Sequence, residues 1–196
     1  MNKPKPSGPA IFMYGTMVVT FLLAVVCFVL YYAHIYSQGF ILWTGIVSFM
    51  ILYHFGLRIL FGEFTNRIKF NYNHAFFKQK KFEAKLYKSL KVRKWKDKVL
   101  TFNPENYDFQ NRTLPQLATT MAKSETDHWI NEIISVVSIF FSLLWGMFPI
   151  FLITAVAAML FDAQFIVVQR YNRPIVLRLM ARTKRKTVIL SGGKNE

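Results

Sequence analysis

The sequence predicts an all-α polytopic membrane protein, with four transmembrane helices in two hairpins and amphipathic helices on the cytoplasmic side. Three observations predict it. The 196-residue chain is 53% hydrophobic yet carries a formal net charge of +15. That pairing suits a chain whose apolar spans lie in lipid while a basic part faces water. Four apolar runs each approach the ~20 residues needed to cross a bilayer core. The two short linkers inside the hairpins contain no lysine or arginine. The whole chain, 1–196, reads as a single membrane domain.

The first span is read at residues 11–35, with Pro9 at its start, where a missing N–H costs nothing. Lys3 and Lys5 precede it, as in a secretory signal. The apolar run is too long for an h-region, however, and no A-x-A site follows, so it is read as a retained span. Tyr31, Tyr32 and Tyr36 form an interfacial belt at its end. Ser37, Gln38 and Gly39 turn the chain into the second span, 40–61. The third span is read at 129–145. Gly146 and Met147 form a tight turn into the fourth, 148–168, whose first turn holds Pro149. The positive-inside rule places the N-terminal tail, the segment 62–128 and the tail 169–196 in the cytoplasm, both termini included.

Segment 62–128 is basic and does not span. Residues 75–91 read as one amphipathic helix, with Phe82, Leu86 and Leu90 on its apolar face and lysines elsewhere. Such a helix beside a membrane lies on anionic headgroups. Residues 101–114 read as a loop, with Asn103, Pro104 and Asn106 as turn formers. Thr113 and Pro115 read as the cap and first residue of a helix feeding the third span. Residues 174–186 form a second basic amphipathic stretch, and 191–196 a frayed tail.

Ionisable groups in lipid are costly, so their positions carry information. His54 and Arg58 share a face of the second span. Glu125, His128 and Glu132 share a face at the entry to the third, and Asp162, Gln169 and Arg173 share a face of the fourth. All lie toward the cytoplasmic half. Each also has a plain structural reading: Arg58 can snorkel, and Glu132 and Asp162 can pair with arginines to hold the bundle. As a cluster they suggest a site open to a charged substrate from the cytosol and to an amphiphile from the inner leaflet.

Several chemistries find no support. There is no nucleophile elbow, Walker loop, C-x-x-C or H-x-x-x-x-D. The lone Cys27 allows no intramolecular disulfide, and the four scattered histidines show no metal-ligand spacing, so no metal is expected. Membrane-surface charge accounts for the high pI without nucleic acid.

Three segments carry a family resemblance. The first runs from Phe82-Glu83 through Lys85-Leu86-Tyr87 to Val92-Arg93-Lys94-Trp95-Lys96-Asp97-Lys98. The second is Glu125-Thr126-Asp127-His128-Trp129, an E-x-x-H-W motif. The third, residues 167–174, contains Gln169-Arg170-Tyr171-Asn172-Arg173-Pro174, a Q-R-Y-N-R-P motif. In order and spacing they resemble the glycosyl-4,4'-diaponeurosporenoate acyltransferase family of staphyloxanthin-type carotenoid synthesis, over residues 77–182. Ala84, Thr120 and the Val99-Leu100 pair depart from the family's pattern.

The resemblance implies transfer of a fatty acyl group from acyl-CoA or a similar donor to a glycolipid hydroxyl in a bacterial cell membrane. No cofactor is implied beyond that co-substrate. The partners are membrane lipids, a lipid-soluble acceptor and the acyl donor. Esterification needs a general base, for which His128 is the candidate. Either Glu125 or Glu132 can orient its ring. Arg170, Tyr171, Asn172 and Arg173 are candidate oxyanion donors. Arg93, Lys94 and Lys96 are candidates for donor phosphates, and Trp95 for covering an adenine or anchoring at the interface. Asp162, His54 and Arg58 complete the candidate substrate-binding set. Two other readings remain open: a membrane methyltransferase, or a non-enzymatic adaptor whose basic face recruits lipids or a partner.

Overall fold

A computed structural model describes residues 8–99 and 104–192. Lys3, Lys5, Asn103 and residues 193–196 lie outside them. The fold is 83% helical, with no strands among the described residues. Seven α-helices follow in order: α1 (Gly8–Tyr32), α2 (Gly39–Asn66), α3 (Glu83–Ser89), α4 (Val92–Trp95), α5 (Leu114–Ser138), α6 (Ser142–Trp145) and α7 (Phe148–Gly192).

Four helical segments are long and apolar enough to cross a membrane: Gly8–Tyr32, Gly39–Asn66, Leu114–Trp145 and Phe148–Lys186. Only 17–28% of their most apolar stretches is buried within the protein. Apolar surface this extensive, turned away from any interior, has lipid as its solvent. The chain is a membrane protein.

The chain divides into two compact units. Among the described residues, the first contains 8–65 and 130–159. Here α1 and α2 meet at Gly45, where an added Cβ would come within 3.1 Å of Cys27 Cβ and the Phe28 ring. Phe28 stacks on Trp145 at 5.9 Å, and Phe49 meets the edges of Phe141 and Trp145. The Tyr53 hydroxyl donates to the Ile134 carbonyl at 3.2 Å. Shortly beyond, a 3-10 turn at Ile139–Phe141 separates α5 from α6. Gly146 closes the hairpin with φ 73° and ψ −156°, a region essentially reserved for glycine. Gly146→Ala is therefore expected to cost about 1–3 kcal/mol, read as a lower unfolding midpoint of the purified protein in detergent.

Among the described residues, the second unit contains 66–99, 104–129 and 160–192. Leu117, Ala118 and Met121 of α5 pack on Val176 of α7, flanked by Tyr72, Tyr107 and Met180. The start of α5 follows the sequence expectation. The Thr113 N–H donates to Gln116 Oε1 at 2.9 Å, and the Gln116 N–H donates back to Thr113 Oγ1 at 3.4 Å, a reciprocal capping box.

Two expectations about this unit need correction. The stretch 174–186 is no separate element, because α7 runs unbroken through Pro174. Proline removes a helix hydrogen bond at a cost of about 3 kcal/mol. Contacts on both sides hold the helix together: Arg170 and Arg173 are ion-paired before Pro174, and Val176 sits in the core after it.

The helix expected over 75–91 is also broken. A 3-10 turn at Ala75–Phe77 ends in an extended Lys78, and α3 covers only Glu83–Ser89. Its expected apolar face points outward, with Phe82 61%, Leu86 41% and Leu90 46% exposed. Glu83 and Tyr87 are the buried pair. Their ties to one another and to Arg170 choose the inward face.

Candidate active site

In the second unit α5 and α7 run antiparallel, and their facing residues form two polar groups. The first centres on His128. Its Nδ1 lies 2.8 Å from Asp162 Oδ1. The ring stacks on Phe165, with centroids 4.4 Å apart and planes 3° from parallel. The Asp162 side chain is 2% exposed and that of His128 19%. A carboxylate only accepts hydrogen bonds. The tautomer that this contact favours is the one with the proton on Nδ1, which leaves the Nε2 lone pair for a general base. Phe165 fixes the ring plane. His128 lies within α5, fourteen residues after its start at Leu114.

This geometry corrects the expected orienting carboxylate. Asp162 holds the His128 ring, whereas Glu125 is engaged elsewhere. Glu125 is fully buried and accepts from two arginines. Arg170 Nη1 donates to its Oε1 at 2.5 Å, and Arg173 Nη1 to its Oε2 at 2.6 Å. Glu132 belongs to the first unit, where its side chain is buried.

The second polar group is a clamp around these arginines. Arg170 Nε and Nη2 donate to Glu83 Oε1 at 3.0 and 2.6 Å. Its Nη1 and Nη2 reach the carbonyls of Phe76 and Lys78, both at 3.2 Å. Together with the bond to Glu125, these occupy all five guanidinium donors. Arg173 is 1% exposed; its Nη2 donates to the Phe77 carbonyl, and its guanidinium carbon lies 5.0 Å from the Phe77 ring centroid. The expected oxyanion role of Arg170 thus gives way to tying segment 76–83 to α5 and α7. Tyr171 meets Tyr87 edge to face at 5.7 Å. Asn172 is half-buried on α7.

Sequence reasoning does not single out Glu83 as a site residue, though a signal exists. It is the one acid between Glu63 and Asp97, in a run otherwise rich in lysine. The buried Tyr87 hydroxyl donates to its Oε2 at 2.8 Å. Burial first, then the Glu83 carboxylate, pushes the Tyr87 hydroxyl well above its usual pKa. Tyr87 therefore remains a donor at neutral pH. Tyr107 accepts from Gln169 Nε2 at 3.1 Å, and burial likewise raises its pKa. Phe165 is also absent from the expected set; its position three residues after Asp162 is the only hint.

The remaining expected residues divide as follows. Arg93 and Lys94 line a cleft in the second unit. Lys96 does not; its Nζ pairs with Asp97 at 2.6 Å. The Trp95 indole N–H donates to the Leu90 carbonyl at 2.9 Å. His54 and Arg58 are half-buried on α2, in the first unit. Among the described residues, no three His, Cys, Asp or Glu side chains form a possible metal-ligand set.

Comparison with known proteins gives one match. The profile of the family described as glycosyl-4,4'-diaponeurosporenoate acyltransferase matches residues 73–182. That segment contains α3, α4, His128, Asp162 and the arginine clamp. No curated protein and no solved structure matches the chain.

Proposed function

The chain belongs to the glycosyl-4,4'-diaponeurosporenoate acyltransferase family, and from that premise we propose that it transfers a fatty acyl group to a sugar hydroxyl of a glycolipid acceptor, a glycosylated carotenoid or a close analogue. The observation that carries this reading is the His128–Asp162 pair, with Nδ1 held by a buried carboxylate and Nε2 left as the base. In the reaction, the acceptor hydroxyl oxygen attacks the carbonyl carbon of an acyl thioester. His128 Nε2 takes the hydroxyl proton as the new C–O bond forms. The C–S bond breaks, and the proton passes to the leaving thiolate. The products are the ester and the free thiol.

His128 is the catalytic residue of this scheme, and Asp162 is its positioning residue. The imidazolium formed in the transition state is stabilised by the Asp162 carboxylate beside it. Glu83, Glu125, Arg170 and Arg173 act at one remove, by fixing α5 against α7. Asn172, adjoining the clamp on α7, remains a proposed oxyanion donor.

The setting we propose is the inner leaflet of a bacterial cell membrane, with both termini cytoplasmic. The charge distribution along the sequence supports it. The outward Phe82, Leu86 and Leu90, interleaved with Lys81, Lys85 and Lys88, suit an anionic lipid surface.

The test is lipid mass spectrometry on host cells that make glycosylated carotenoid acceptors and express wild type or His128→Ala at matched membrane levels. A lipid heavier by one acyl chain is expected with wild type and should be absent with the variant. A lipid heavier by one methyl group would replace this reading with methyl transfer. Identical lipidomes would replace it with a non-enzymatic adaptor.

A further inference from the structure

The second unit contains a cleft that the His128–Asp162 pair does not use. Its volume is ≈ 460 Å³, within the roughly 300–1,000 Å³ typical of small-molecule sites. Five cations line it: Lys88, Lys91, Arg93 and Lys94 from the α3–α4 segment, and Arg178 from α7. No carboxylate lines it. The rest of the lining is mainly aromatic or apolar, with Tyr87, Tyr171, Pro174 and Ile175. Among the described residues none of the five cations is ion-paired, although Lys96, two residues past Lys94, has an acid of its own. Five like charges around one small cleft repel one another. An anion entering it relieves that repulsion and gains charge-assisted hydrogen bonds.

The backbone is bent to build this wall. Lys91 has φ 50° and ψ 38°, a left-handed conformation outside glycine's usual territory, at a cost of roughly 1–2 kcal/mol. The bend between α3 and α4 lets Lys88 on one helix and Arg93 and Lys94 on the other line the same cleft. On α7, Arg178 Nε donates to the Pro174 carbonyl at 3.2 Å. That bond steadies the guanidinium, and its Nη groups stay available for a ligand.

We propose that this cleft binds a phosphate or diphosphate group carried on an amphiphile, with the anion held by its lysines and arginines and an apolar or ring portion against Tyr171 and Ile175. Distances along α7 narrow the class further. At the α-helical rise per residue, Tyr171 lies about 14 Å and Arg178 about 24 Å along the axis from Asp162. A single molecule that engages both the cleft and His128 must hold its phosphate far from its reacting carbonyl, on a long arm. Phosphorylated, nucleotide-bearing acyl thioesters have that shape. Assigning the ligand as the acyl donor rests on the proposed acyl transfer; the phosphate site itself does not.

The experiment is calorimetric titration of the full-length protein in detergent with coenzyme A and, separately, with inorganic pyrophosphate. In a parallel arm, the protein is reconstituted in nanodiscs of phosphatidylcholine with or without phosphatidylglycerol, and each is titrated with coenzyme A. Arg93→Gln/Arg178→Gln removes two cleft cations, and Lys80→Gln/Lys98→Gln removes two exposed lysines outside it. Coenzyme A should bind wild type and bind the cleft variant about a hundredfold more weakly, about tenfold for each guanidinium removed. The Lys80/Lys98 variant should match wild type. Cleft-dependent competition by phosphatidylglycerol would support the phosphate site and assign its source to lipid headgroups. Equal weakening by both double variants, or no binding of any phosphate at millimolar concentration, would overturn the site. His128→Ala separates the two proposals: it should bind coenzyme A like wild type while losing transfer. Binding without transfer in wild type would remove the acyltransferase reading and leave the site standing.

Discussion

Glu125→Ala is expected to lower the stability of the second unit by about 3–5 kcal/mol, the cost of breaking a buried ion pair from one side. The geometry explains the size. Glu125 is fully buried, and its two oxygens divide between Arg170 and Arg173. Arg170 would retain Glu83, whereas Arg173, 1% exposed, would keep, among the described residues, the Phe77 carbonyl and the Phe77 ring. Its charge would then be buried and uncompensated. Thermal unfolding of the purified variant in detergent should show a much lower midpoint, or protein that fails to accumulate. Glu125→Ala/Arg173→Met should recover much of the loss, because removing both charges removes the unpaired one. An unchanged midpoint in Glu125→Ala would mean that this carboxylate does not hold the clamp.

Asp162→Asn is expected to reduce acyl transfer by about 10²–10⁴-fold with the protein still folded. Asparagine has the same shape but can donate from its amide nitrogen. Donation to His128 Nδ1 moves the ring proton to Nε2 and removes the lone pair needed to accept the hydroxyl proton. Substrate binding does not depend on that tautomer. The loss should therefore fall on kcat, with KM little changed and an unfolding midpoint near that of wild type. A variant that loses KM and stability together, with kcat intact, would make Asp162 a bundle-holding residue only.

These expectations rest on contacts that the amino-acid sequence shows only in part. The four spans are legible there because lipid selects for long apolar runs, and composition alone reports that. The common face of Glu125, His128 and Glu132 is legible from helical periodicity. The choice of partner for each is not. Asp162 and His128 are 34 residues apart, and Arg170 and Glu83 are 87 apart. No local rule ranks one buried carboxylate above another for a given histidine; packing of α5 against α7 decides it. The inward face of α3 escapes sequence reading for the same reason. Apolar spacing favours Phe82, Leu86 and Leu90, but the ion pair between Glu83 and the half-buried Arg170 outweighs it. Pro174 looks like a boundary because proline ordinarily ends helices. The ion pairs before it and the core packing after it are tertiary and leave no mark in the local sequence.

The central claim, acyl transfer by a His128 base, is tested most directly in a purified system. Wild type and His128→Ala would be reconstituted in nanodiscs with a glycosylated carotenoid acceptor and a radiolabelled long-chain acyl-CoA. Ester and free thiol would then be followed in a single turnover. Wild type should form labelled ester and free thiol in equal amounts, while folded His128→Ala forms ester at least about a hundredfold more slowly. Equal ester formation by the two proteins, or thioester left intact by folded wild type with the acceptor present, would contradict the account.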